Sequence, residues 1–103
     1  MSLKVNSEKI LSLLGFAAKA GKLSFGTHAT QFAIESKRAK LVLAAEDISE
    51  KSVKELKFKA DKVGIQVLTL NSISTADLSK RVGKNCGIVA VLDSGLADAI
   101  KNN

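Results

Sequence analysis

The residues best suited to chemistry stand at the start of one segment. Gly26-Thr27-His28 opens a helical pattern, Lys37-Arg38-Ala39-Lys40 closes it, and a fully apolar run, Leu41 to Ala45, follows directly. A helix N-terminus carries backbone N–H groups without intrahelical partners and a partial positive charge, so it is a natural seat for phosphate. Gly26 carries no side chain and lets another backbone approach closely. Thr27 and His28 add hydrogen-bonding groups at the helix mouth. A purely structural strand–helix–strand unit needs neither this polar entrance nor the basic exit.

Bond-making chemistry finds little support. There is no G-x-x-x-x-G-K-[ST] phosphate loop, no G-x-G-x-x-G fingerprint, no G-x-S-x-G elbow and no Cys/His metal spacing. The expectation is a protein that is not an enzyme, with no catalytic residue, no metal site and no cofactor. Cys86 and His28, the single cysteine and the single histidine, are far apart in the chain. Cys86 reads as a small residue beside a strand. Glu46-Asp47 follows a strand and reads as caps and solvated loop charges.

The charge balance points to an anionic partner. Net charge is +6 and the pI is near 9.6, which for a chain of this kind favours nucleic acid. The excess lies in Lys19, Lys22, Lys37, Arg38 and Lys40, and again in Lys80, Arg81 and Lys84, whereas Ser49 to Lys62 nearly cancels. There is no Trp or Tyr, and Phe16, Phe25, Phe32 and Phe58 all stand in apolar contexts. An aromatic stacking sheet for single-stranded RNA is therefore not expected. One cysteine forms no internal disulfide and suits a reducing cytosol. No apolar run reaches the roughly 20 residues that span a bilayer, and no signal peptide is evident, so a cytoplasmic protein without membrane contact is expected.

The 103 residues suffice for one domain, 1–103, with no proline and no linker. Helical spacing of Ile10, Leu13, Leu14, Ala17 and Ala18 predicts a first helix from Asn6-Ser7 to before Gly21. Leu23-Ser24-Phe25 reads as a short strand. The second helix runs from about Thr27 to Lys37 and buries Ala33, Ile34 and either Phe32 or Thr30. Leu41 to Ala45 has the unbroken apolar character of a strand covered on both faces. Asp47 and Ser49 are cap candidates for a third helix with apolar positions Val53, Leu56, Ala60 and Val63, ended by Gly64. A strand over Ile65 to Leu70 follows, then a capping box at Ser74-Thr-Ala-Asp77 and a helix stopping by Val82-Gly83. Gly87 to Leu92 reads as a buried central strand and Ser94 to Lys101 as the last helix. This alternation predicts an α/β fold, a three-layer αβα sandwich with helices on both faces of a small mixed sheet of about four strands. The loop Gly83 to Gly87 is expected beside the start of the second helix. Lys37, Arg38 and Lys40 either flank that site or lie at the other end of the sheet.

Gly26-Thr27-His28-Ala29-Thr30 through Ala39-Lys40-Leu41-Val42, followed by Ala45-Glu46-Asp47, resembles the signature of the kink-turn-binding ribosomal proteins. Val82-Gly83-Lys84 before the last strand matches a second segment of that family, and the resemblance covers nearly the whole chain. Leu14-Gly15-Phe16-Ala17-Ala18-Lys19-Ala20-Gly21-Lys22-Leu23 looks like its bacterial YlxQ branch in particular. The resemblance implies an αβα sandwich that binds structured RNA such as ribosomal RNA, with ribosome association and a monomeric state. The family opens the second helix with Gly, a small residue, Asn and Glu, with a Lys one turn later, and reads tandem sheared G·A pairs there. Gly26 and Thr27 fit that motif, His28 stands for the Asn, Ala29 for the Glu and Phe32 for the Lys. The RNA-binding residues so implied are Lys22, Gly26, Thr27, His28, Thr30, Gln31, Lys37, Arg38, Lys84 and Asn85. The alternative is a protein–protein adaptor on the same fold. A weaker one is a detached recognition domain like those fused to RNA 2′-O-methyltransferases.

Overall fold

Two strands, β2 (Leu41–Ala45) and β4 (Ile88–Val91), are buried along their whole length, and the other elements are arranged about them. The computed structural model describes residues 7–102. Asn6 of the predicted first helix start lies outside them. In chain order the remaining elements are α1 (Ser7–Lys19), β1 (Leu23–Phe25), α2 (Gly26–Glu35), α3 (Glu50–Asp61), β3 (Val67–Leu70), α4 (Thr75–Val82) and α5 (Ser94–Lys101). The sheet order is β1-β4-β2-β3. β2 and β3 are parallel, while β4 is antiparallel to both β1 and β2.

The alternation of side chains along β2 and β4 divides the core in two. Leu41, Leu43, Val89 and Val91 pack with Ile10, Leu14 and Ala17 of α1, Leu78 and Val82 of α4, and Ala97 and Ile100 of α5. Val42, Ala44, Ile88 and Ala90 pack with Ala33 and Ile34 of α2 and with Leu56 and Ala60 of α3. The protein is thus the expected three-layer α/β sandwich, with α1, α4 and α5 on one face of a mixed four-stranded sheet and α2 and α3 on the other. Each fully buried Leu, Ile or Val contributes about 1.5–3 kcal/mol to that arrangement.

Several boundaries differ from expectation at element ends. β3 begins at Val67 and not Ile65, and β4 ends at Val91. α2 begins at Gly26 and ends at Glu35, two residues before the predicted Lys37. The reason is a left-handed turn. The N–H groups of Lys37 and Arg38 donate to the carbonyls of Ile34 (3.0 Å) and Ala33 (2.9 Å), the paired bonds that close a helix when the residue after its last turn is left-handed. Lys37 is that residue, with φ 61°. After α1, α3 and α4 the left-handed residue is a glycine: Gly21 (φ 71°), Gly64 (φ 74°) and Gly83 (φ 79°).

A lysine in this conformation carries a Cβ clash worth about 1–2 kcal/mol, against about 0.5–1 kcal/mol for the chain entropy that a glycine adds to the unfolded state. Lys37→Gly should therefore raise stability by about 0.5–1 kcal/mol, read as a higher urea midpoint. A lower midpoint would show that the Lys37 side chain contributes more than its strain costs.

Candidate nucleic-acid interface

β1, β2 and β3 run in one direction and β4 in the other. One end of the sheet therefore gathers the residues after β1, β2 and β3 with those before β4: Gly26-Thr27-His28, Glu46-Asp47, Asn71 to Ser74 and Lys84 to Gly87. The other end gathers those before β1 and β2 with those after β4: Lys22, Lys37 to Lys40, and Leu92-Asp93. The question left open by sequence is answered by the shared direction of β1 and β2, which makes α2 start at one end of the sheet and finish at the other. Lys37, Arg38 and Lys40 lie at the end opposite the start of α2, together with Lys22.

The mouth of α2 is open. Its N-cap residue is Phe25, extended at φ −110°, and no side chain caps it; its first turn holds no acidic residue. α3, α4 and α5 are each capped, by Ser49, Ser74 and Asp93. Gly26 has φ 89°, and a Cβ there would meet nothing within 4 Å. Glycine is needed for the backbone conformation, and the space beside it is free. Thr27 and His28 are exposed.

The β4 loop lies against this mouth, as expected. Phe25 pairs with Val89 across β1 and β4, and the Lys84 ammonium sits 5.5 Å from the centre of the Phe25 ring. Ser79 holds the loop to α4: its Oγ accepts from the Cys86 N–H (2.9 Å) and donates to the Cys86 carbonyl (3.0 Å). Gly15, Lys19, Phe25, Arg81 and Lys84 share a shallow cleft beside it. Lys19 and Arg81 were not in the predicted site; their clustering depends on α1 and α4 packing side by side, which no local pattern reveals. Arg81 also pairs with Glu8 of α1 at 2.7 Å.

Glu46 and Asp47 brace the same end. Asp47 Oδ1 accepts from the Thr75 N–H (2.9 Å) and from Thr75 Oγ1 (2.8 Å), and Glu46 Oε1 accepts from the Ser72 N–H (3.0 Å). Asp47 therefore caps the start of α4 and not of α3, whose cap is Ser49, accepting from the Ser52 N–H at 3.2 Å. The Ser74–Asp77 capping box forms as expected. Gly87 passes beneath this brace. A Cβ there would lie 2.5 Å from Thr75 Oγ1 and 2.6 Å from Ile48 Cδ1. The Thr75 hydrogen bonds, first the side chain and then the backbone, hold the Asp47 carboxyl below its ordinary range. Burial pushes the Cys86 thiol up, with Lys84 pulling weakly the other way.

Other expected site residues fall elsewhere. Thr30 is wholly buried on the inner face of α2, and its Oγ1 has no partner. Gln31 lines a groove with Lys54, Glu55, Phe58 and Lys59 between α2 and α3. Phe32 is 64% exposed, one turn beyond His28. Phe16 (63%) and Phe58 (65%) are exposed too, so three of the four phenylalanines leave the apolar surroundings that sequence implied. All three stand on helices, and none forms a stacking sheet. Among the described residues no group of three His, Cys, Asp or Glu side chains could hold a metal ion, and no helix is long and apolar enough to cross a membrane.

A family model described as ribosomal protein L7Ae/L30e/S12e/Gadd45 matches residues 8–101. The RNA-binding protein YlxQ of Enterococcus faecium is 32% identical over 93% of this chain and 91% of its own length. The large ribosomal subunit protein eL8 of Haloquadratum walsbyi is 36% identical over 90% of this chain and 78% of its own. Among solved structures, a protein of unknown function from Bacillus halodurans superposes with a TM-score of 0.84 at 27% identity, covering 91% of this chain and 94% of that one. A 15.5 kD RNA-binding protein of Giardia lamblia shares the fold, with a TM-score of 0.79 at 15% identity over 99% of this chain and 87% of that one.

Two predictions arise here. The folded Asp47 carboxyl titrates below its unfolded value, so its stabilisation is complete above the unfolded value and is lost as pH falls through the folded one. Stability should decline below about pH 4, and Asp47→Asn should make that decline shallower. Parallel urea melts down the acid range would refute this if the two slopes coincide. Thr30→Val keeps the shape of the side chain and removes a buried hydroxyl that has no partner, so it should stabilise the domain by about 1–3 kcal/mol. A thermal melt that moves down would show that the Thr30 hydroxyl has a partner in solution.

Proposed function

The chain belongs to the ribosomal protein L7Ae/L30e/S12e/Gadd45 family, and on that premise we propose that it is a small non-enzymatic RNA-binding protein. It docks structured RNA on the end of the sheet where β1 enters α2. The observation that carries this is the uncapped mouth of α2, with open space at Gly26 and with Lys84 over the Phe25 ring alongside. The free N–H groups and the helix's partial charge receive phosphate. Lys84 and Asn85 supply a second contact with the backbone, and Thr27 and His28 face the base edges. Glu46, Asp47 and Gly87 hold the floor beneath. Thr30 takes no part, because it has no surface, and Gln31 stands aside in its own groove.

The names of the relatives, an RNA-binding protein and a large-subunit ribosomal protein, support the RNA-binding reading, and we read the chain further as a monomer that associates with ribosomes in the cytoplasm. Affinity for sheared G·A pairs is low in this chain, because Ala29 and Phe32 offer no hydrogen bond to a base where the family signature has Glu and Lys.

Restoring those groups tests the proposal. Phe32 is exposed, so Phe32→Lys should cost no more than about 0.5 kcal/mol of stability. His28→Asn, Ala29→Glu and Phe32→Lys together should raise affinity for an RNA with tandem sheared G·A pairs by about 1–3 kcal/mol over one with Watson–Crick pairs there, the scale of a good bidentate base contact. Calorimetric titration against both RNAs decides it. A folded variant with no preference between them would mean that α2 does not face the RNA.

A further inference from the structure

The second basic cluster is not used by that interface. Lys22, Lys37, Arg38 and Lys40, with Gly21 and Leu92, line an open cleft of about 350 Å³ at the opposite end of the sheet, and no lining residue is acidic. All four cations are exposed, and none forms an ion pair among the described residues. Asp93, next to Leu92, is turned to the Leu96 N–H at 2.9 Å, where it caps α5, and Glu35, two residues before Lys37, is exposed at the end of α2 and lines no part of the cleft.

The backbone fixes this cluster in place. The Leu92 N–H donates to the Lys22 carbonyl (2.8 Å) and the Lys40 N–H to the Val91 carbonyl (2.7 Å), so Lys22 and Lys40 flank the end of β4 from its two sides. Lys37 and Arg38 close the rim from the left-handed turn that ends α2. Three other helix ends meet the same conformational demand with glycine; only this one holds a cation there. A side chain kept in a strained conformation where glycine would serve points to a role for that side chain.

We propose that this cleft is a second phosphate-binding surface that takes the backbone of an RNA helix outside the segment docked on α2. The proposal rests on the RNA-binding reading above. Four exposed cations rooted in two segments, with no buried donor among them, suit a run of phosphates better than one small anion. The two surfaces lie at opposite ends of a molecule 31 Å long, so a bent RNA or a second RNA helix is what engages both.

The test combines Lys37→Gly, Arg38→Gln and Lys40→Gln. Lys37→Gly is expected to raise the unfolding midpoint, so lost binding is not lost fold. Two probes are titrated by fluorescence anisotropy across a salt series: a plain RNA duplex, and a short RNA with sheared G·A pairs and minimal flanking helix. For the duplex, affinity should fall about tenfold or more, and the log–log salt slope should become shallower by about 2–3. The short RNA, held more than a Debye length away, should change by less than about twofold. Unchanged duplex affinity and slope would overturn the proposal, as would a parent protein that does not bind the duplex at low salt. If neither the parent nor the His28→Asn, Ala29→Glu, Phe32→Lys variant prefers the sheared G·A pairs while the duplex result holds, the α2 reading falls and the cleft stands. Variant-sensitive binding of polyglutamate, with duplex binding unaffected, would give the cleft to an acidic protein surface and overturn the RNA assignment.

Discussion

β4 lies between β1 and β2 and runs against both, and this reversal controls everything that the surface can do. A parallel β4 would send its preceding loop to the far end of the sheet, away from Gly26. The antiparallel register, with Phe25 opposite Val89 and Ala44 opposite Ile88, brings Lys84 onto the Phe25 ring. It also carries Leu92 to the far end, between Lys22 and Lys40. The register itself is enforced by burial. A slip of one residue would turn Ile88 and Ala90 toward α1 and α4, and Val89 and Val91 toward α2 and α3, exchanging sets that fit differently packed faces.

The two ends differ in how their polar groups are spent. Around β2, β3 and α4 polar groups are engaged in pairs: Asp47 with Thr75, Glu46 with Ser72, Ser79 with Cys86, and Ser74 with Asp77. Gly87 admits no side chain beneath them. The mouth of α2 is the exception within this braced region. A rigid surround with one uncapped helix start is what recognition requires, since a ligand then meets donors already held in position.

Much of the fold was legible because its signals are local. The apolar run of β2, the last helix from Ser94 to Lys101 and the Ser74–Asp77 capping box each depend on a few adjacent residues, and each forms as expected. The site was less legible because its geometry is not local. Asp47 looks like a cap for the helix that follows it, yet its partner is Thr75, 28 residues on. The cations Lys22, Lys37 and Arg38 are indistinguishable in sequence from Lys84, and only the direction of β4 separates them. Phe32 and Phe58 mislead for a different reason. Apolar side chains are no proof of burial, since folded surfaces expose apolar atoms widely, and on α2 the inward position belongs to Thr30.

The pairing of Leu23 with Val91 also has a consequence for synthesis. A nascent chain that has emerged only through β3 can form the β2–β3 pair over α3, but β1 has no strand to join and the inner edge of β2 is bare. Both core clusters lack their central wall until β4 arrives. Strand pairing over such a span is slow, and bare edges invite pairing with other chains. β4 therefore acts as a keystone: assembly stays provisional until that strand is available to both of its neighbours.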